Sequence, residues 1–171
     1  MTTPSNSTTK VKNGGVIPKG PARTNFLVAA LIVPLLILAA LTLYPLTWLD
    51  QLPALVPSHW DASGQPDSFE APMGLALTML AIGGATIAAL WGLGFALGKE
   101  LLTRRILAGT NVFMAVLLGG IVLGTLSASR TGAAADMNID MFIFTSMGVG
   151  VAAGFLVAHL VRPEPKVLAT G

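Results

Sequence analysis

Four long stretches of this chain contain no aspartate, glutamate, lysine or arginine. They are residues 26–46, 72–97, 106–126 and 141–161. The hydrocarbon core of a bilayer is about 30 Å thick, and a helix needs about 20 apolar residues to cross it. The pattern therefore predicts an all-α integral membrane protein, in which four transmembrane helices form one membrane domain over 25–161.

The composition supports this class and excludes others. Only 11% of the residues are charged and 53% are hydrophobic, whereas a soluble globular domain has roughly 25% charged residues. The chain has no cysteine, which excludes disulfides, thiolate metal ligands and thiol catalysis. The lysines and arginines are scattered over separate loops, so a nucleic-acid partner is not expected. The partner that the composition does require is the lipid bilayer.

The positions of the basic residues predict the orientation. Nine of the ten lysines and arginines flank the spans on one side: Lys10, Lys12, Lys19, Arg23, Lys99, Arg104, Arg105, Arg162 and Lys166. Because loops rich in lysine and arginine stay in the cytoplasm, both termini should be cytoplasmic. The expected location is a bacterial cytoplasmic membrane, with the loop 47–71 outside. The segments 1–24 and 162–171 should be cytoplasmic tails, and the first, poor in apolar residues, should be disordered.

Few polar groups occur within the predicted spans, and none is an acid. Pumps and ion-coupled transporters normally carry ionisable groups inside the hydrocarbon, so such a function is not expected. Asn111 is placed to donate a hydrogen bond between helices. Pro34 should bend the first span, although neighbouring helices can cover the carbonyl that a proline leaves unpaired.

Small residues recur at four-residue spacing in the last three spans, where they allow helix backbones to approach closely. They are Gly94, Gly98, Gly120, Gly124, Ser146, Gly150 and Gly154. We expect them to form packing seams inside the bundle. A face for dimerisation is the alternative, and the sequence leaves the oligomeric state open.

The loop between the first two spans is rich in proline and turn-forming residues. Pro53 and Pro57 favour an extended first half, because each restricts its own φ and that of the preceding residue. Asp61 to Gly64 predicts a tight turn, and Pro66-Asp67 a second corner. The loop should form a compact, ordered cap.

The loop also carries a recognisable pattern. Its positions are Leu52, Pro53, Val56, Pro57, His59, Trp60, Asp61, Gly64, Pro66 and Asp67. This pattern resembles the bacterial membrane family called domain of unknown function 1648. That domain also opens the immunity protein for a sporulation-delaying peptide toxin, so the resemblance implies a role in toxin protection and signalling. Residues 68–71 depart from the glycine-rich stretch of many relatives, and the last two spans show no recognisable immunity-protein region.

Three roles are open for the polar residues of the cap. They can hold the fold of the loop, recognise a peptide or a membrane-protein partner, or bind a metal through His59, Asp61 and Asp67. The spacing of these three matches no established metal motif, so no metal or cofactor is predicted. No nucleophile and base pair is evident, so no catalytic residue is expected.

We therefore expect a non-enzymatic binding, sensing or toxin-immunity-like component that acts through its outer loop. The alternative is a structural or accessory subunit of a larger membrane complex, attached through its glycine-rich helix faces. The ligand or partner cannot be identified from the sequence.

Overall fold

A computed structural model describes residues 21–97, 100–132 and 139–163 of the chain. Five α-helices and one hairpin follow in order: α1 (Pro21–Leu27), α2 (Val33–Leu43), β1 (Val56–Trp60), β2 (Pro66–Glu70), α3 (Pro72–Leu97), α4 (Leu101–Arg130) and α5 (Ile139–Leu160). The structure is mostly helical, and the predicted fold class is confirmed. Gly98 and nearly all of both predicted tails lie outside the described residues.

Among the described residues, four helices are long and apolar enough to cross a membrane, which indicates a multi-pass membrane protein. They span Thr24–Gln51, Pro72–Leu97, Leu101–Arg130 and Asp140–Leu160. The first is one continuous helix in which a π-helical turn, Val28–Ile32, joins α1 to α2, and a 3-10 segment, Tyr44–Gln51, follows α2. The first and third spans extend beyond the predicted limits, because charged and polar residues can continue a helix outside the hydrocarbon.

α4 is the centre of the bundle. It packs against α2, α3 and α5, whereas α5 lies almost entirely against α4. The middle of the core contains Leu38, Ile87 and Ala115, which come from α2, α3 and α4 and are fully buried. α5 therefore forms an outer layer on α4, and most of its surface is left for lipid.

Asn111 joins three helices at a buried point. Its side-chain amide donates hydrogen bonds to the carbonyl of Ala30, at 2.7 Å, and to the carbonyl of Ile87, at 3.2 Å. Ala30 lies four residues before Pro34, which has no N–H to donate in the helical pattern. The amide of Asn111 thus covers the carbonyl that Pro34 leaves unpaired. The local helix is π-helical just before this proline.

Glycines bring α4 and α5 into close contact. A Cβ on Gly154 would collide with the backbone carbonyl of Gly109, and a Cβ on Gly120 would collide with Ser146. A Cβ on Gly150 would make a tighter than usual contact with Phe113, at 3.1 Å. The other two predicted packing glycines in the described residues also pack against side chains of this chain. Gly94 lies against Phe26, and Gly124 lies against Phe142.

The loop differs from its predicted conformation in two places. Residues 44–51 continue the first span as a 3-10 helix, so the extended segment begins later than expected. The predicted corner at Pro66-Asp67 is wrong, because both residues lie in β2. The turn between Asp61 and Gln65 reverses the chain by itself. Pro66 is tolerated at the first position of a strand, where its missing N–H is not needed.

Candidate recognition site at the hairpin cap

The cap is a two-stranded antiparallel hairpin. Val56 pairs with Glu70, Pro57 with Phe69, His59 with Ser68 and Trp60 with Pro66. The register shifts on both sides of His59. Such irregularities bend and twist a strand. The hairpin therefore does not lie flat, and its two ends make different contacts with the helices.

Asp61 organises the turn of the hairpin. One of its carboxylate oxygens accepts hydrogen bonds from the Ser63 hydroxyl at 2.6 Å and from the backbone N–H groups of Ser63 and Gln65 at 2.8 and 3.0 Å. Gly64 has a φ of +80°, a conformation that glycine adopts at low cost. The Ser63 hydroxyl, followed by the backbone N–H of Gln65, lowers the pKa of Asp61 below its ordinary value. The predicted turn is thus built around a carboxylate that prefers its charged form.

His59 and Asp67 face each other across the two strands. The His59 Nδ1 lies 2.5 Å from an Asp67 carboxylate oxygen, and the two side chains are 69% and 45% exposed. Exposed pairs of this kind contribute about 0–1 kcal/mol to stability. The described residues contain no group of three histidine, aspartate or glutamate side chains arranged to hold a metal ion.

The other end of the hairpin is anchored in the bundle. Val56 is fully buried and packs in a cluster with Leu75 of α3 and Leu126 of α4. Pro57 is also buried, whereas Pro53 is exposed in the segment before the strand. Burying a valine side chain contributes about 1.5–3 kcal/mol. The apolar half of the sequence pattern therefore attaches the cap to the helices.

Trp60 lies between the hairpin and the ends of two helices. It packs against Ala128 of α4, as do Phe142 and Ile143 of α5. Its indole N–H is buried and has no acceptor among the residues that the structure describes. A buried donor without an acceptor costs about 1–3 kcal/mol. Trp60 thus holds the cap against the helices and also carries an unused hydrogen-bond donor.

A cleft of about 470 Å³ opens beside Trp60, between the hairpin turn and the helices. The hairpin contributes residues 58–64 to its wall, and the helices contribute Met79, Ile121, Asp140 and Ile143. The helix residues were not among the predicted site residues. They come from three spans that are far apart in the sequence, and no local pattern links them to the loop.

Comparison with known families agrees with the pattern in the loop. Residues 26–84 match the model of the family described as Domain of unknown function (DUF1648). We call this matching segment the DUF1648 domain. The predicted resemblance is confirmed. No curated protein and no solved structure matches the chain.

The DUF1648 domain comprises the first span, the hairpin and the first half of α3. It therefore includes Trp60, Asp61 and Met79 of the cleft. The other helix residues of the cleft, Ile121, Asp140 and Ile143, follow the domain in the sequence. The cleft is thus formed where the DUF1648 domain meets the last two spans.

The described charged residues at this end of the molecule are mainly acidic. They are Asp50, Asp61, Asp67, Glu70 and Asp140, with Arg130 as the basic residue. Arg130 is held within the chain, since its Nε donates to the Gln51 side chain at 2.6 Å and its guanidinium lies 4.9 Å from the Trp48 ring centroid. Two of the acids, Asp61 and Asp140, line the cleft. The cleft therefore favours positive charge.

Proposed function

We propose that this protein is a non-enzymatic binding component of the membrane, and that the cleft beside the hairpin recognises a segment of a peptide or of another membrane protein. The observation that carries the proposal is the cleft itself, which is lined by Trp60 and by two residues with carboxylate side chains, Asp61 and Asp140. The Ser63 hydroxyl and the His59 ring are engaged in hairpin contacts, so we assign them no catalytic role.

The chemistry of the cleft suggests which segment it binds. Met79, Ile121 and Ile143 offer an apolar wall, and the two carboxylates lie on the same cavity. A lysine or arginine of the segment would pair with Asp140. The preferred segment is therefore basic and carries apolar side chains. A toxin-immunity-like or sensing role follows if that segment belongs to a secreted peptide.

The proposed orientation places the termini in the cytoplasm and the hairpin outside, because most of the lysines and arginines lie at the opposite end of the spans. An external cleft can meet a secreted peptide directly.

Complementation of a deletion strain tests the proposed function. The strain is exposed to peptides secreted by neighbouring cells, and its survival is measured with the wild type, with Asp140→Asn and with Asp50→Asn. Asp140 lines the cleft, whereas Asp50 is an exposed acid at the same end outside it. We expect wild type and Asp50→Asn to restore resistance, and Asp140→Asn to restore it weakly or not at all.

Equal survival of all strains, including the deletion, would refute the immunity-like role. A pull-down of the same three proteins from native membranes then tests recognition of a membrane partner. A partner lost from Asp140→Asn alone would keep the cleft as its binding site. Equal retention by all three proteins would exclude the cleft.

A second candidate function is that of an accessory subunit, and α3 offers a surface for it. Gly84 and Gly92 have open space where a Cβ would stand, and Ala88 between them is exposed. Close packing of a partner helix would suit this face. A partner that co-purifies in fixed stoichiometry, and that Gly84→Leu with Gly92→Leu removes, would favour this function. Gly120 and Gly150 are unsuitable for the test because they pack inside the chain.

A further inference from the structure

A groove runs along the junction of α4 and α5 at the end of the bundle away from the hairpin. Its volume is about 450 Å³. Gly109 and Gly154 lie in it where the two backbones touch, and Ile106, Phe113 and Phe155 are among its apolar walls. The glycines explain its shape, because residues without side chains leave a furrow between larger neighbours.

The mouth of the groove is basic. Arg105 and His159 both line it, and none of its lining residues is an acid. The Nε of Arg105 donates to the carbonyl of Val161 at 3.2 Å, which fixes the guanidinium near the end of α5. Its two terminal nitrogens have no acceptor within the described part of the chain. The Nδ1 of His159 lies 2.9 Å from the Phe155 carbonyl, and because a carbonyl only accepts, this nitrogen carries the proton.

The dimensions of the groove fit part of one lipid. Arg105 and Phe113 are eight residues apart on α4, which corresponds to about 12 Å along the helix axis. The hydrocarbon core is about 30 Å thick, so the groove extends less than halfway across it. It can therefore take the upper part of one acyl chain from a single leaflet, with the headgroup at Arg105.

We propose that this groove binds one acyl chain of an anionic phospholipid, and that Arg105 holds its headgroup. The bilayer supplies acyl chains to any apolar groove on a lipid-facing surface. The basic mouth selects among them, because a guanidinium in a groove whose lining residues include no acid favours a headgroup with net negative charge. This site is independent of the proposed cleft at the hairpin.

Native mass spectrometry of the full chain in detergent tests the proposal. The probes are phosphatidylglycerol and phosphatidylcholine with identical acyl chains, and the apparent Kd of each is measured. We expect wild type to bind phosphatidylglycerol about five-fold more tightly, the effect of roughly one arginine at a membrane surface.

Arg105→Gln should lose this preference. Arg105→Lys should keep it, although it also lacks the Nε bond to Val161. Arg162→Gln, at an exposed position outside the groove, should keep it too.

The groove is tested separately by Ala158→Leu, which places a larger side chain among the lining residues, and by Val151→Trp at its exposed wall. At least one of these two variants should weaken binding of both lipids. Three results would overturn the proposal: equal affinity of wild type for the two lipids, equal loss in Arg105→Gln and Arg162→Gln, or unchanged binding in both groove variants. The second result would indicate that diffuse surface charge, and not Arg105, gives the preference. The third would indicate that lipids contact the protein without using the groove.

Discussion

One buried polar side chain, that of Asn111, joins elements that are distant in the sequence. Asn111 is fully buried between the helices. It connects the π-helical turn and α3 to α4 through two carbonyls. One of these carbonyls lies where Pro34 removes the helical donor. The hydrogen bond from Asn111 in one span therefore replaces the backbone donor that Pro34 lacks in another span.

We predict that Asn111→Ala lowers the free energy of unfolding by about 1 kcal/mol, since interhelical hydrogen bonds in membranes contribute about 0.6 kcal/mol on average and a carbonyl is also left unpaired. In a Pro34→Ala background the cost should be smaller, because alanine supplies a backbone N–H near the same carbonyl. Reversible unfolding in mixed micelles would measure this coupling. Thr78→Val, at an exposed position, serves as the control. Equal costs in both backgrounds would show that the two residues are not coupled.

The turn of the hairpin should respond to acid. The pKa of Asp61 is lowered by the Ser63 hydroxyl and the Gln65 N–H, so the charged carboxylate stabilises the folded turn. This contribution is present above the unfolded pKa of about 3.9 and is lost as the pH falls through the lower folded value. Hydrogen exchange of the Ser63 and Gln65 amides, corrected for intrinsic rates, should show constant protection from neutral pH to about pH 5 and a loss below about pH 4.

The matched variants for this measurement are Asp61→Asn and Asp50→Asn. The first should weaken protection at neutral pH and remove its acid dependence, because an amide cannot gain the stabilisation of a charged acceptor. The second should behave as wild type, since Asp50 lies outside the hairpin. An unchanged acid profile in Asp61→Asn would assign the titration to another group.

At the scale of the elements, the junction of α4 and α5 depends on glycine more than any other contact in the described bundle. Gly109 and Gly154 bring backbone against backbone, so an added methyl group has no flexible neighbour to displace. The contacts of Gly120 with Ser146 and of Gly124 with Phe142 differ from this one, because each involves a side chain that can move. The two helices are therefore held at a distance that only small residues permit.

Gly154→Ala should lower the free energy of unfolding by about 1–3 kcal/mol, the usual cost of overpacking. Gly148→Ala on the same helix should be neutral or slightly stabilising, because open space surrounds that position and alanine favours helix. Thermal unfolding of the two variants in one detergent gives the comparison. Equal stability would mean that α4 and α5 are not closely packed in solution.

At the scale of the whole molecule, α4 acts as the support for both candidate sites. Its hairpin-facing half contributes Ile121 to the cleft below the DUF1648 hairpin, and its other end contributes Arg105 to the lipid groove. α5 completes both sites. Each site therefore draws on the same helix pair, which lies outside the segment that matches the family.

The proposed orientation gives a prediction for the whole molecule. Because the chain has no cysteine, a single introduced thiol reports its own side of the membrane. Ala62→Cys, in the exposed turn of the hairpin, should react with a membrane-impermeant maleimide in intact cells. Ala169→Cys, near the C-terminus, should react only after permeabilisation. The reverse labelling pattern would contradict the proposed topology and place the cleft in the cytoplasm.

The sequence alone determined the class of the protein, the number of its spans and the family of its loop. Each of these follows from local information: uncharged length determines whether a helix can cross the bilayer, and the motif residues lie within one short continuous segment. The turn was also predictable, since Asp61 and Gly64 act on neighbouring backbone groups. The error at Pro66 arose because a proline can open an edge strand as well as a corner.

Only the tertiary structure decided which distant residues meet. Three such meetings depend on how the helices are arranged. They are the hydrogen bond from Asn111 to the carbonyl of Ala30, the contact of Gly109 with Gly154, and the position of Asp140 in the cleft. The physical reason is that apolar spans carry almost no pattern of their own in a membrane, where lipid and protein interior are equally apolar. Packing shape and a few polar contacts then select the arrangement, and both are properties of pairs of helices.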